Sequence, residues 1–547
     1  MVTRRQFIQT AASAAVAGNV AGPAAAGERP TLKRGEKRPN ILIFMTDQQQ
    51  AATVLPKHPC RTPNLERFAA QGVTFTNAFC PAPHCCPSRA SFMSGLYPSR
   101  HGIFNNVETN TAIHADLNPG VVLFSEELRD AGYNLIYTGK WHVSRNIGPE
   151  DRGWDTLGIK KAAFSDRRRE PEFWQAPKSE MEENHPRRRG ELLRPGWGNM
   201  LLYGSRPAKG PKGYEGTGDY RTVQRGLEGL KKLAAGDQPW CLFVGVTGPH
   251  DSYVIPEPFA KMYDPKSVAL PPNFADMLAD KPRIYQRMRH QYYGQLSDDE
   301  VRESIAHYWG YCSMEDALFG LVLDALEATG EADNTMVVYC SDHGDYVGAH
   351  GLYCKGVPCF REAYNVPTII RWPHGIANPG RRVEAFVSHT DFAPTFLETA
   401  GVKARMERSG RSLLAWLRGE APSGWRDALF TQLNGVELYY TQRSVMTKRY
   451  KYVYNGFDFD EMYDLEKDPH ETVNLAFPDF ARLRRPNGKE GLVNTSDVPW
   501  PPLSAELEKE RRDLLRRMWT FAREHDDQIF NSYYTVAMAP IGPALAM

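Results

Sequence analysis

The sequence predicts a doubly wound α/β domain, followed by a smaller α+β subdomain. Three observations carry that expectation. Apolar runs at Pro39 to Met45, Trp240 to Val246 and Thr335 to Cys340 read as strands buried on both faces. Amphipathic helical stretches alternate with these runs, and each run ends in a polar cluster. Beyond about Arg405 the pattern changes to short antiparallel strands and one charged amphipathic helix.

In chain order, residues 1–26 read as a targeting leader. Thr3-Arg4-Arg5-Gln6-Phe7-Ile8 precedes an Ala-rich stretch ending at Ala24-Ala25-Ala26, a small-residue cleavage site. The paired arginines and weak hydrophobicity resemble a twin-arginine export signal, which implies a twin-arginine translocase as partner and a periplasmic or secreted protein. The main domain is expected over 37–404, with surface insertions at about 160–212 and 252–303. The arginine runs Arg167 to Arg169 and Arg187 to Arg189 in the first insertion read as solvated.

Within the main domain, Thr62 caps a helix that has Pro63 at its first position. Val73 to Phe75 reads as a strand, Leu123 to Ala131 as a helix, and Tyr133 to Tyr137 as the strand after it. A helix over Arg221 to Leu233 and another over Ile305 to Thr329, closed by Gly330, flank the Trp240 strand. Thr368 to Arg371 continues the sheet, and Asp391 opens a helix. In the expected subdomain, 405–547, strands fall at Ser444 to Met446, Tyr450 to Tyr454 and Glu461 to Leu465, with a helix at Leu507 to Phe521.

The totals exclude several function classes. A chain of 547 residues with 41% hydrophobic and 24% charged content is an ordinary globular protein of about two domains. A net charge of +1 gives no case for nucleic-acid or membrane-surface binding. No run past the leader is apolar for eighteen residues, so no membrane span is expected. Nine cysteines without CxxC spacing argue against a disulfide scaffold or a structural zinc module.

The chemistry concentrates at Pro81 to Gly102, around Cys85-Cys86-Pro87-Ser88-Arg89. Pro87 suits the first turn of a helix, which puts Cys85 at a helix N-terminus, where N–H groups and the dipole favour an anion. Arg89 lies one turn on and has a forked pair of donors to offer an oxyanion. A buried Cys-Cys pair, or a zinc cluster with Cys80, is the bland alternative. A tyrosine-phosphatase loop is excluded, because three residues between Cys85 and Arg89 are too few for it.

This segment resembles the C-x-P-S-R signature of the type I sulfatases in the alkaline phosphatase superfamily. The same order of features continues with Asn40-Ile41-Leu42 leading to Asp47, Gly139-Lys140-Trp141-His142, Ser341-Asp342-His343-Gly344, Lys355 and the Tyr463 to Leu475 run. The resemblance implies an alkaline-phosphatase-like fold, a doubly wound mixed sheet with a smaller C-terminal α+β subdomain, and hydrolysis of a sulfate ester on a small molecule or glycan. It implies that a maturation enzyme oxidises Cys85 to formylglycine. One hydroxyl of the hydrated aldehyde then attacks sulfur, and the other expels sulfate from the covalent sulfo-enzyme.

The resemblance also implies one divalent cation, calcium first and manganese second, held by Asp47, Cys85, Asp342 and His343. Arg89, Lys140, His142, His250 and Lys355 complete the implied polar shell. Lys140 and Lys355 would neutralise sulfate oxygens, His142 would assist loss of the second diol proton, and His250 would protonate the leaving oxygen. Gln48 and His343 stand where many sulfatases carry acidic or amide residues, a departure that looks like the choline-sulfatase and phosphonate monoester hydrolase branch. A phosphonate monoester or phosphodiester hydrolase on the same apparatus is the alternative, and a silent glycan-binding relative is a third. His84 and His350 are left as structural.

Overall fold

The computed structural model describes residues 37–109, 112–158, 186–194, 199–436, 438–477, 503–530 and 542–543. The leader expected at 1–26 and the run Arg167 to Arg169 lie outside them. From Lys37 onward the chain forms one compact unit.

A central sheet takes up the apolar runs. Its strands are β1 (Asn40–Thr46), β2 (Val73–Phe75), β3 (Asn134–Gly139), β4 (Trp240–Gly245), β5 (Thr335–Ser341), β6 (Thr368–Arg371) and β7 (Arg381–Val383). The order across the sheet is β7-β2-β6-β5-β1-β4-β3. β5, β1, β4 and β3 run parallel. β6 turns antiparallel against β5, which makes the sheet mixed, as expected.

Residues Ile41 to Met45 are fully buried because helices cover both faces. Ile41, Ile43 and Met45 meet Phe92, Phe124 and Phe396 on one face. Leu42 and Phe44 meet Leu230, Leu318 and Phe319 on the other. The contributing helices are α1 (Pro63–Ala70), α2 (Cys85–Ser94), α3 (Phe124–Asp130), α4 (Gly218–Ala234), α5 (Asp298–Thr329) and α6 (Phe392–Thr399).

Two helix starts differ from the sequence reading. The Thr62 side chain makes no cap. Instead the Asp316 carboxylate on α5 accepts the Asn64 and Leu65 N–H groups at 3.2 and 2.7 Å. Helix α5 starts seven residues before the expected Ile305, because Ser297 and Glu300 form a capping box. Glu300 and Glu303 on α5 then bind Arg187 and Arg189 at 2.5 and 2.8 Å. Arg187 is therefore a strap between the first insertion and α5, with a partner over a hundred residues away and beyond local pattern, whereas Arg188 and Arg189 are exposed, in line with the solvated reading.

The C-terminal sheet is an antiparallel meander of β8 (Leu429–Leu433), β9 (Gln442–Met446), β10 (Tyr450–Asn455) and β11 (Glu461–Asp464). Its outer face packs on α7 (Ala505–Glu524) through Leu515, Met518 and Trp519. On the other face, Leu433, Val453 and Tyr463 share a core with Tyr285 and Phe360 of the main domain. Strand β8 was not read from the sequence.

Candidate active site

The parallel strands deliver their polar ends to one edge of the sheet. Asp47 follows β1, Asp342 and His343 follow β5, Lys140 and His142 follow β3, and His250 lies in the turn after β4. Gly139 makes the Lys140 turn possible: at φ +88 a Cβ there would lie 1.9 Å from the Gly245 carbonyl oxygen. All ten residues of α2 are buried, and Cys85 is its first residue. The Ser88 hydroxyl fastens that first turn to the Asp342 carbonyl at 2.5 Å. The helix N-terminus therefore faces the strand ends.

Four donor atoms converge there. The Cys85 Sγ, an oxygen of Asp47, an oxygen of Asp342 and a nitrogen of His343 all lie within 4.8 Å of one another, and all four residues are buried. Cys85 Sγ is 3.3 Å from His343 Nε2 and 3.8 Å from Asp47 Oδ1. His343 Nδ1 bonds the Gly344 carbonyl at 2.9 Å, which fixes the tautomer and aims the Nε2 lone pair at the cluster. Two carboxylates, one imidazole and one further donor fit a small divalent cation.

Arg89 does not have the free fork expected for it. Its Nε donates to Asp342 Oδ2 at 2.7 Å, its Nη2 to Asp47 Oδ2 at 3.2 Å and its Nη1 to the Lys140 carbonyl at 3.0 Å. The guanidinium is buried, and each of its three nitrogens spends a donor on these partners, so it holds the two carboxylates together. Its partners sit on three other elements, so the helix-end argument alone could not find them.

The remaining cations surround residue 85. Lys140 Nζ lies 2.5 Å from Asp47 Oδ2 and 3.3 Å from Cys85 Sγ. Burial and the neighbouring Cys85 push Asp47 up, but Lys140, His250 and Arg89 outweigh them and hold the carboxyl well below its usual range. Burial likewise raises the Cys85 thiol, while Lys140, Lys355, His343 and the neighbouring His142 bring it well below the ordinary thiol value. Position 85 is thus built to stabilise negative charge.

Lys355 Nζ donates to His250 Nε2 at 2.5 Å and to the Gln48 amide oxygen at 2.6 Å. His250 Nδ1 bonds the Asp251 carbonyl at 2.6 Å. The Gln48 amide nitrogen donates to Asp251 at 3.0 Å and to Asp345 at 2.5 Å. Burial lifts Asp345 to about 6, against the hydrogen bond from Tyr253. His142 Nε2 lies 2.7 Å from Glu108 Oε2. Cys85, Lys140, His142, His250, Asp251 and Lys355 line a cleft of about 750 Å³.

Every site residue singled out in the sequence reaches this region. The sequence reading missed Cys86, Asn106, Glu108, Asp251 and Asp345 around it. Asp251 and Asp345 directly follow motif residues, a weak signal; Asn106 and Glu108 sit in a loop with no motif. Cys80 is not part of the donor cluster and rests against the Ala363 carbonyl. All nine cysteines are free. His350 stacks on Phe360 at 3.6 Å and bonds Asp276 at 2.8 Å, a structural role. A separate cavity of about 350 Å³ touches Phe79, Arg361 and Lys451. There Lys451 is paired with Glu471 at 2.6 Å.

Comparison with known proteins follows the same outline. Residues 39–402 match the family described as Sulfatase, and residues 348–483 match the C-terminal region of N-sulphoglucosamine sulphohydrolase. A choline-sulfatase of Rhizobium meliloti is 29% identical over 462 residues, covering 80% of this chain and 82% of that protein. An N-acetylglucosamine-6-O-sulfatase of Bacteroides thetaiotaomicron is 28% identical over 490 residues, covering 81% and 83%. The phosphonate monoester hydrolase structure of Agrobacterium radiobacter superposes with a TM-score of 0.67 at 22% identity, covering 89% and 96%.

Proposed function

The chain belongs to the sulfatase family of the alkaline phosphatase superfamily, a family of sulfuric ester hydrolases, and we propose that residue 85 carries its nucleophile. The carrying observation is the convergence of Asp47, Cys85, Asp342 and His343 within 4.8 Å, with Lys140 at 3.3 Å from the sulfur. Formylglycine made from Cys85 by a maturation enzyme would supply a hydrated carbonyl, one hydroxyl attacking sulfur and the other releasing sulfate from the covalent sulfo-enzyme, and a calcium or manganese ion held by the donor cluster would supply Lewis-acid chemistry.

The chain's own residues have these roles. Asp47, Asp342 and His343 would hold the cation, and Arg89 positions the two carboxylates. Lys140 and Lys355 balance the charge that develops on the sulfuryl group. His250 accepts a hydrogen bond from Lys355, so a proton can pass along this pair to the leaving oxygen. His142 takes the proton that position 85 releases.

The substrate we propose is a sulfated small molecule or glycan. Named relatives act on choline sulfate and on a sulfated amino sugar, and the cleft of about 750 Å³ accommodates one sugar ring or more. Among the described residues no helix is long and apolar enough to cross a membrane. The leader at 1–26 would direct export to the periplasm or beyond.

A second reading, hydrolysis of phosphonate monoesters or phosphodiesters, is favoured by the Gln48–Lys355 contact and the imidazole ligand. Parallel kcat/KM measurements on sulfate monoesters, sulfated sugars and a phosphodiester decide between them. A sulfate ester is expected to be the better substrate; a reversed preference would establish the second reading. No turnover of either by matured, metal-loaded protein would leave the silent glycan-binding relative.

A further inference from the structure

A second convergent donor set lies beside the first. The Cys86 thiol, a Glu108 carboxylate oxygen and a His142 imidazole nitrogen lie within 4.8 Å of one another. Three separate elements bring them together: the first turn of α2, the loop around Asn106 and the turn after β3. Cys86 is fully buried, and its N–H is fixed by Asn106 Oδ1 at 3.2 Å. Glu108 and His142 are 29% and 18% exposed and line the cleft, so an ion has a route in from solvent. His142 Nδ1 is buried and has no hydrogen-bond partner among the described residues.

The two sets differ in chemistry. The Asp47 set is rich in carboxylate oxygen and, once residue 85 is an aldehyde hydrate, contains no sulfur. The Cys86 set keeps its thiol in the matured protein and adds one imidazole and one carboxylate. Zinc takes three such ligands, leaving a fourth tetrahedral position open to water. Sulfur also discriminates against calcium and magnesium, which prefer all-oxygen shells.

We propose that Cys86, Glu108 and His142 bind a zinc ion, and that zinc held there inhibits hydrolysis by occupying His142. Binding releases the Cys86 thiol proton and the proton shared by His142 and Glu108 to solvent, with no change of oxidation state. The binding half stands on the donor geometry alone; the inhibition half rests on the catalytic reading of His142.

The test uses full-length matured protein carrying its catalytic cation. Zinc titration with metal analysis should give one additional bound zinc, with activity falling as it binds. Cobalt(II), as a spectroscopic stand-in, should give a sulfur-to-cobalt charge-transfer band. Cys86→Ser should abolish that band and raise the zinc concentration for half inhibition by about tenfold or more, with zinc-free activity retained. Glu108→Gln, at a part-exposed position where folding is not at risk, should weaken zinc binding in the same direction. A band that persists in Cys86→Ser, or zinc binding unchanged in both variants, overturns the site. Stoichiometric zinc bound through Cys86 with undiminished activity upholds the site and overturns the inhibition, and with it the role given to His142, leaving the sulfatase assignment untouched.

Discussion

Asp47 at the carboxyl edge of the main sheet and Asp460 beside β11 are both buried aspartates, and the protein treats them in opposite ways. Burial lifts Asp460 to about 7, against hydrogen bonds from the Tyr452 hydroxyl at 2.5 Å and the Asn455 N–H at 2.9 Å. Its charge is removed by a proton near neutrality, and both oxygens are spent on fixed donors. Asp47 is instead kept ionised by Arg89 and Lys140, both bonded to Oδ2. Among the described residues its Oδ1 has only the Cys85 thiol at 3.8 Å and the His343 nitrogen at 3.7 Å. The lesson is that Asp460 is closed by its neighbours, whereas Asp47 is held charged with one oxygen turned to the donor cluster.

The largest test of that contrast removes the cation that holds the open pair. Arg89→Met leaves Asp47 and Asp342 buried without their shared partner and should destabilise the protein by about 3–5 kcal/mol. Calcium or manganese should restore part of the loss, because the ion neutralises the same carboxylates. Denaturation with and without the metals checks this, and identical curves would mean that these carboxylates share no cation site. Next in size, Lys355→Ala should lower kcat by roughly 10²–10³-fold, the cost of one preorganised charge. Unchanged steady-state kinetics would remove Lys355 from the chemistry.

Asp460 gives a smaller, pH-dependent effect. Its folded value of about 7 lies above the ordinary aspartate value of 3.8, so between these limits the native state holds a proton that the unfolded chain has lost. Stability from this group is therefore full below the lower limit and falls as pH rises to about 7. The slope approaches about 1.4 kcal/mol per pH unit. Asp460→Asn should flatten that slope in denaturation curves from acid to neutral pH; an unaltered slope would mean that Asp460 is not the titrating group. Smallest of all, Ser297→Ala removes the α5 cap far from both aspartates and should cost about 1 kcal/mol without changing kcat. A changed kcat would tie the helix start to the site after all.

What could be read from the sequence follows the range of the forces involved. The apolar runs of β1, β4 and β5 and the polar residues ending them are local, and the structure places Asp47, Asp342 and His343 where those runs stop. Cys85 was placed at a helix start by Pro87, again a local effect. Arg89 was misread because its three partners come from Asp47, Lys140 and Asp342, up to 253 residues away. The Asp316 cap on α1 and the Arg187–Glu300 strap are long-range for the same reason. The early start of α5 was legible, since Ser297 and Glu300 have capping-box spacing, and went unread. Glu108 carried no such signal, because only folding brings it to His142.

The most direct measurement is the mass of the peptide containing residue 85, taken from protein matured in its own host and compared with the same peptide from unmatured protein. The expected result is loss of the thiol mass and gain of an aldehyde that a hydrazide reagent captures. An intact cysteine at position 85 in fully active enzyme would contradict the assignment of the nucleophile.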